Sequence, residues 1–283
     1  MPNLPPPSTW LWLVEAALAE DLGPGDATSQ ALLSPDTSGA AVLEARAEIV
    51  VCGLPVAQEV FERRGVTCES LARDGDSAEP GDVLMRVSGP SLGILEGERT
   101  ALNFVQRLSG VATHTRRFRL AVRGTHAEIV DTRKTTPAWR TLEKYAVRCG
   151  GGRNHRLGLF DGILIKDNHI AAVGSAGRAV SLAKERGSRH LRVRCEVESL
   201  AQAREALDAG ADALLVDNQP PEVICAIVAA AKGRALVEAS GGVTLETVAA
   251  IARTGVDEIS VGALTHSAPA ADVALEWTER SSS

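Results

Sequence analysis

Apolar positions along this chain fall into two rhythms. Between Ala40 and about Val87 they form short runs, Ala41 to Leu43, Ile49 to Val51 and Val83 to Val87, broken by turn sequences such as Asp74-Gly75-Asp76 and Glu79-Pro80-Gly81-Asp82. That spacing predicts a small, mainly antiparallel β unit. Ahead of it, Trp10 to Glu20 has helical apolar spacing that stops at Asp21-Leu22-Gly23, after a proline-rich stretch, Met1 to Pro7, that reads as a loose arm. Ser91 then caps a long pattern in which Leu92, Leu95, Leu102, Val105 and Leu108 recur at helical intervals, with Arg99, Asn103 and Gln106 together on another face. This predicts a helix that links two domains.

Beyond Val111 a different unit repeats: a short β-branched run, a polar cluster, then an Ala-rich helical stretch. The runs are Ile129-Val130, Ile163 to Ile165, Val193 to Val197, Ala213 to Val216, Ala235 to Val237 and Ile259 to Val261. Helical stretches at Leu200 to Ala209, Pro221 to Ala231 and Thr244 to Arg253 separate the last four. Strands that close together require parallel pairing through crossover helices, so a complete or incomplete α/β barrel is expected. A doubly wound sheet is the alternative, but its first turn would lack the G-x-G-x-x-G of a dinucleotide site.

In such barrels the chemistry projects from the carboxyl ends of the strands. Those ends carry Asp131-Thr132-Arg133-Lys134-Thr135, then Lys166-Asp167-Asn168-His169, then Glu196, Asp217-Asn218, Ser240-Gly241-Gly242 and Gly262. From Asp131 to His169 there are eight Lys or Arg against four Asp or Glu, within a chain of net charge -6. A local cation excess in an acidic protein points to a polyanionic small molecule, since guanidinium groups pair with carboxylate or phosphate and Lys supplies a compact charge. Arg140, Lys144 and Arg148, at i, i+4 and i+8 on one helix, read instead as a solvated face. Glu196 and Asp217 on successive strands suit either Mg²⁺ or a structural ion pair. The glycine turns after the last two strands suit phosphate held by backbone N–H groups.

Composition narrows the classes. The chain has 283 residues, 45% hydrophobic and 23% charged, which excludes disordered and fibrous architectures. Its acidity argues against a nucleic-acid partner. Five cysteines, odd in number and without a C-x-x-C pair, indicate neither a disulfide framework nor a zinc site, and a reducing cytoplasm is expected. No apolar run approaches a bilayer span and no signal sequence is evident, so a soluble, unprocessed protein without membrane association is expected.

Three blocks together resemble the quinolinate phosphoribosyltransferase family: Glu20-Asp21-Leu22-Gly23-Pro24-Gly25-Asp26, then Glu98-Arg99-Thr100-Ala101-Leu102-Asn103, and above all DTRKTTPAWRTLEKYAVRCGGGRNHRLGLFDGILIKDNHI, Asp131 to Ile170. The resemblance implies a type II phosphoribosyltransferase architecture, an N-terminal α/β sandwich joined to an incomplete α/β barrel. Its boundaries here would be 1–111 with the linking helix, 112–266 for the barrel, and a C-terminal helix and tail, 267–283, returning toward the N-terminal domain. It implies transfer of phosphoribose from phosphoribosyl pyrophosphate to quinolinate with decarboxylation, in NAD biosynthesis, by a homodimer with shared active sites.

By motif, Arg133, His155, Arg156 and Lys166 would bind the quinolinate carboxylates, with Thr132 and Lys134 beside the substrates. Arg99 would reach across the dimer interface. Glu196 and Asp217 would engage ribose hydroxyls or Mg²⁺, and Ser240, Gly241, Gly242 and Gly262 would hold phosphate. Lys134, Lys166, Glu196 and Asp217 form the catalytic set on this reading. One position departs from the pattern: Arg194 stands where an acidic residue is expected, two places before Glu196. Alternative readings are a related phosphoribosyltransferase of molybdate-transport gene clusters, a barrel aldolase using Lys166 as a Schiff-base nucleophile, and a non-enzymatic scaffold.

Overall fold

The computed structural model describes residues 2–278. A 3-10 turn, Pro7–Thr9, leads into α1 (Leu11–Leu22) and α2 (Ala27–Leu32), followed by β1 (Ser38–Ala45), β2 (Ile49–Val50) and α3 (Leu54–Glu62). Then come β3 (Thr67–Ser70), β4 (Ser77–Ala78), β5 (Val83–Pro90) and the long helix α4 (Ser91–Ala121). The second half runs β6 (Glu128–Val130), α5 (Arg140–Cys149), β7 (Ile163–Ile165), α6 (Asp167–Val173), α7 (Ala176–Arg186), β8 (Val193–Val197), α8 (Leu200–Asp208) and β9 (Ala213–Asp217). It closes with α9 (Pro221–Ala231), β10 (Leu236–Ser240), α10 (Val248–Ala252), β11 (Glu258–Ser260), α11 (Ala263–His266) and β12 (Val273–Trp277).

The chain divides into two units, and the division is not the one drawn from the sequence. One unit comprises residues up to 116, 136–151 and the stretch from 267; the other comprises 117–135 and 152–266. Helix α5, sequentially inside the barrel half, therefore groups with the N-terminal unit. The C-terminal segment is a correction: in place of the expected helix it forms β12, which pairs antiparallel with β1 from Ala41↔Trp277 to Ala45↔Val273. Its β-branched and aromatic residues suit an edge strand. Residues 279–283 of the expected tail lie outside the described residues.

In the N-terminal unit a four-stranded antiparallel sheet has the order β12-β1-β5-β3, with β2 and β4 paired beside it. Alternation builds its core. Ala41, Leu43 and Ala45 of β1 and Leu84, Met85 and Val87 of β5 are buried, and α3 packs on β3 and β5 through Val56, Ala57, Val60 and Phe61. Asp74 holds the start of α3: its carboxylate accepts the N–H groups of Gly53 (2.9 Å) and Leu54 (3.1 Å) and the Tyr145 hydroxyl (3.0 Å). The proline-rich arm is pinned, not loose, because Trp10 Nε1 donates to the Pro5 carbonyl (3.1 Å) and Arg148 Nη2 to that of Asn3 (2.9 Å). Lys144 overturns the solvated-face reading of α5, since it is buried between buried Glu143 and Tyr145.

In the other unit six parallel strands have the order β6-β11-β10-β9-β8-β7. The first strand in sequence thus lies beside the last, which curls the sheet round. Among the described residues no hydrogen bonds join β6 to β7, so the barrel is open on that side. Arg153 forms a parallel bridge with Val130 at the β6 edge. At the N-terminal ends, the Asp212 carboxylate accepts the Val193 N–H (2.6 Å) and the Asp257 carboxylate that of Val237 (2.8 Å), each stapling neighbouring strands. Among the described residues no helix is long and apolar enough to cross a membrane.

Candidate active site

A cavity of about 480 Å³ opens at the carboxyl ends of the parallel strands. Its wall contains Thr132, Arg133, Lys134, His155, Arg156, Lys166, Glu196, Asp217, Ser240, Gly241, Gly242 and Gly262, together with Asp131, Glu238, Ser260 and His266. Twelve residues expected from the sequence thus share one cavity. Arg99 does not line it and stands exposed on α4. A larger groove of about 740 Å³ lies at the opposite ends of the strands, around Arg192, Asp212 and Asp257, the end that carries stability in these barrels.

Strand pairing explains the gathering. Glu196, Leu215, Glu238 and Glu258 are cross-strand partners in sequence around β8, β9, β10 and β11. One row nearer the mouth Asp217 faces Ser240, and one row deeper Leu164, Arg194 and Ala213 are partners. Because side chains alternate along a strand, positions 194 and 196, 215 and 217, and 238 and 240 share a face.

The loops after β6 and before β7 are fixed by buried Asp131. Its carboxylate accepts Asn154 Nδ2 (2.6 Å) and the His155 N–H (2.9 Å), which ties the NHR segment to the DTRKT segment. Thr132 Oγ1 accepts the Lys134 N–H (3.0 Å), and Thr265 Oγ1 donates to the Lys134 carbonyl (2.7 Å). Arg156 Nη1 donates to the Gly162 carbonyl (3.0 Å). Burial, with Arg133 and Arg194 nearby, pulls the Arg156 guanidinium below its usual range. Crowded cations of this kind favour an anion that neutralises them.

Lys166, at the start of α6, donates from Nζ to Glu196 Oε2 (3.1 Å) and remains half exposed. The Asp217 carboxylate accepts Asn218 Nδ2 (3.3 Å). At Gly241 and Gly242 the backbone has φ of 92° and 57°, and a Cβ on Gly241 would collide with the Asn218 side chain. A Cβ on Gly262 would lie 3.1 Å from both Lys134 Cδ and His266 Nε2. These glycines leave backbone bare in the cavity wall.

His155 lines the cavity, with both ring nitrogens close to protein groups. Nδ1 lies 2.8 Å from the Arg156 backbone nitrogen. Nε2 lies 3.4 Å from Glu238 Oε2 and 2.6 Å from Arg194 Nη1. The ring is turned into the barrel interior. Glu238, His266 and Ser260 were missed from sequence, and Asp131 was named at its strand end without a role. Carrying the two-residue period back from Ser240 would have found Glu238, had the strand not been ended at Val237.

Residues 26–109 match the family model described as quinolinate phosphoribosyl transferase, N-terminal domain, and residues 111–276 match its C-terminal domain. The chain belongs to the quinolinate phosphoribosyltransferase family. A probable nicotinate-nucleotide pyrophosphorylase [carboxylating] of Bacillus subtilis is 42% identical, with 92% of this chain and 90% of the relative covered. The nicotinate-nucleotide pyrophosphorylase [carboxylating] of Mycobacterium leprae is 43% identical over 93% and 95%. The solved nicotinate-nucleotide pyrophosphorylase of Francisella tularensis superimposes with a TM-score of 0.91 at 38% identity, covering 96% of this chain and 97% of that one.

Proposed function

We infer that this chain transfers the phosphoribosyl group of phosphoribosyl pyrophosphate to the ring nitrogen of quinolinate, releasing pyrophosphate and CO₂ and forming nicotinate mononucleotide for NAD synthesis. The carrying observation is that Arg133, Lys134, Arg156 and Lys166 line the same cavity as Glu196, Asp217 and the Gly241-Gly242 turn. Four cations suit a dicarboxylate beside a diphosphorylated sugar. The family match names the pair of substrates that has this charge.

The residues divide the work by charge. Arg133, Arg156 and Lys166 hold the two carboxylates and place the ring nitrogen against C1′ of the ribose. Ser240 and the bare backbone at Gly241, Gly242 and Gly262 hold phosphate, with Lys134 beside it. The N–C1′ bond forms as the bond from C1′ to the pyrophosphate oxygen breaks, and the cavity's donors stabilise the departing charge. The now cationic nitrogen stabilises the electron pair left on the adjacent ring carbon when its carboxylate leaves as CO₂, and that pair then takes up a proton.

Glu196 and Asp217 fit Mg²⁺, for they are oxygen donors on one face of adjacent strands in a cavity that also takes phosphate. When bound, Mg²⁺ supplies positive charge to the pyrophosphate oxygens. Lys166 already engages Glu196 Oε2, which leaves that carboxylate's other oxygen for the metal or a ribose hydroxyl. The five free cysteines suit a reducing cytoplasm.

Nicotinate mononucleotide formed from quinolinate, phosphoribosyl pyrophosphate and Mg²⁺, with nicotinate as control acceptor, is the deciding assay; product from nicotinate alone would refute the reading. On the same reading the active form is a homodimer in which Arg99 enters the partner's cavity. Mixing Arg99→Ala with Lys134→Ala, each inactive alone, should then restore about a quarter of wild-type activity in statistical heterodimers, because only one of their two sites combines both intact residues. No restoration would remove Arg99 from the site.

A further inference from the structure

The deepest charged group in the parallel sheet is Glu238, 1% exposed, and two side chains converge on it. Arg194 from β8 contacts it through Nη1 and reaches Glu258 on β11 through Nη2 (2.8 Å). His155 approaches it at 3.4 Å. On β9 the position beside Glu238 is apolar Leu215. Arg194 is therefore the full cation of this cluster, answering two carboxylates at once. It belongs to the row below Glu238, so its long side chain rises toward the cavity floor. The expectation of an acid at position 194 would have put a third negative charge here.

We propose that Arg194 is a positioning residue for the dicarboxylate acceptor, keeping the cavity floor from repelling it and fixing the ring of His155 beneath Arg156. The inference rests on the quinolinate reading above. With Arg194 in place the floor carries one excess negative charge; without it, two carboxylates stand unanswered below the place where a dianion binds. The same loss frees Glu238, which faces the His155 ring at 3.4 Å, and with it the ring that accepts the backbone N–H of Arg156, so a carboxylate-binding cation loses its support. The charge effect falls on both anionic substrates, because Glu238 and Glu258 lie on the strands that end at the glycine turns, whereas the loss of support for Arg156 falls on the acceptor. The acceptor and the sugar donor should respond differently to this one residue.

The test is steady-state kinetics of the purified protein with each substrate varied separately. Arg194→Met should raise KM for quinolinate by roughly 10- to 100-fold and KM for phosphoribosyl pyrophosphate at least about 5-fold less. Adding Glu238→Gln to Arg194→Met should recover at least about 5-fold of the lost KM, since the floor then returns to a single excess negative charge, that of Glu258. Should Arg194→Met not fold, Arg194→Lys, which keeps the charge but not the two-pronged span, should raise KM for quinolinate about 3-fold or more with the same selectivity. Equal KM changes for both substrates, or no recovery in the double variant, would overturn the proposal. A wild-type protein that makes no nicotinate mononucleotide would instead overturn the quinolinate reading.

Discussion

In β1 the positions that point inward are Ala41, Leu43 and Ala45, all buried and apolar; in β8 Arg194 and Glu196 occupy alternate positions facing the barrel interior. The two sheets answer the same problem differently. An antiparallel sheet covered on one side has a wet face for its charges, such as Arg86 and Glu69 of β5 and β3. A parallel sheet clad in helices has none, so charge that must stay near the strand ends goes to the interior. There each ion needs a partner, because an unpaired buried charge is costly. Lys166 with Glu196, and Arg194 with Glu238 and Glu258, meet that need. The same enclosure gives the cavity its grip on anions.

Removing a cavity cation should break the barrel side of the comparison most sharply. Lys166→Ala or Arg133→Ala should lower quinolinate turnover by about 100-fold or more, while the thermal midpoint stays within a few degrees of wild type. Near-normal rates in both would separate the cavity from the chemistry. The N-terminal sheet should show the reverse. Leu43→Ala removes a fully buried side chain and should lower unfolding free energy by about 3 kcal/mol, seen in denaturant titration, with the folded enzyme's KM for quinolinate unchanged. A KM shift there would show that the apolar sheet also shapes the acceptor site.

The smallest effect concerns thiols. Burial, with Glu196 close by, pushes the Cys195 thiol up to about 11, and burial likewise raises Cys52, so both resist alkylation at pH 8. Exposed Cys225 should be modified first in a mass-spectrometric time course, without loss of turnover. Early modification of Cys195 would mean that the parallel sheet opens readily.

Much of the site was legible because strand ends are marked locally. A β-branched run followed by Lys166-Asp167-Asn168-His169 or Ser240-Gly241-Gly242 announces both the strand and its exit, and the cavity contains Lys166, Ser240, Gly241 and Gly242. Glu238 escaped because it sits within a strand, where a carboxylate makes sense only once Arg194 is seen to reach it from two strands away. His155 was found, but its orientation was not, since a hydrogen bond from the neighbouring Arg156 N–H and the Glu238 carboxylate decide where its nitrogens point. Lys144 was misread because the i, i+4, i+8 pattern reports which residues share a helix face and not whether that face is covered.

By itself the sequence determined the two rhythms, the parallel strands with their crossover helices, the cationic segment and the family, because periodicity, turn chemistry and contiguous motifs are local properties of the chain. Tertiary structure alone decided that 136–151 joins the N-terminal unit, that the C-terminal segment is a strand beside β1, and that Arg194 serves Glu238 and Glu258. Each of these depends on residues far apart in sequence meeting across a sheet, where register and burial, not local propensity, set which charges face one another.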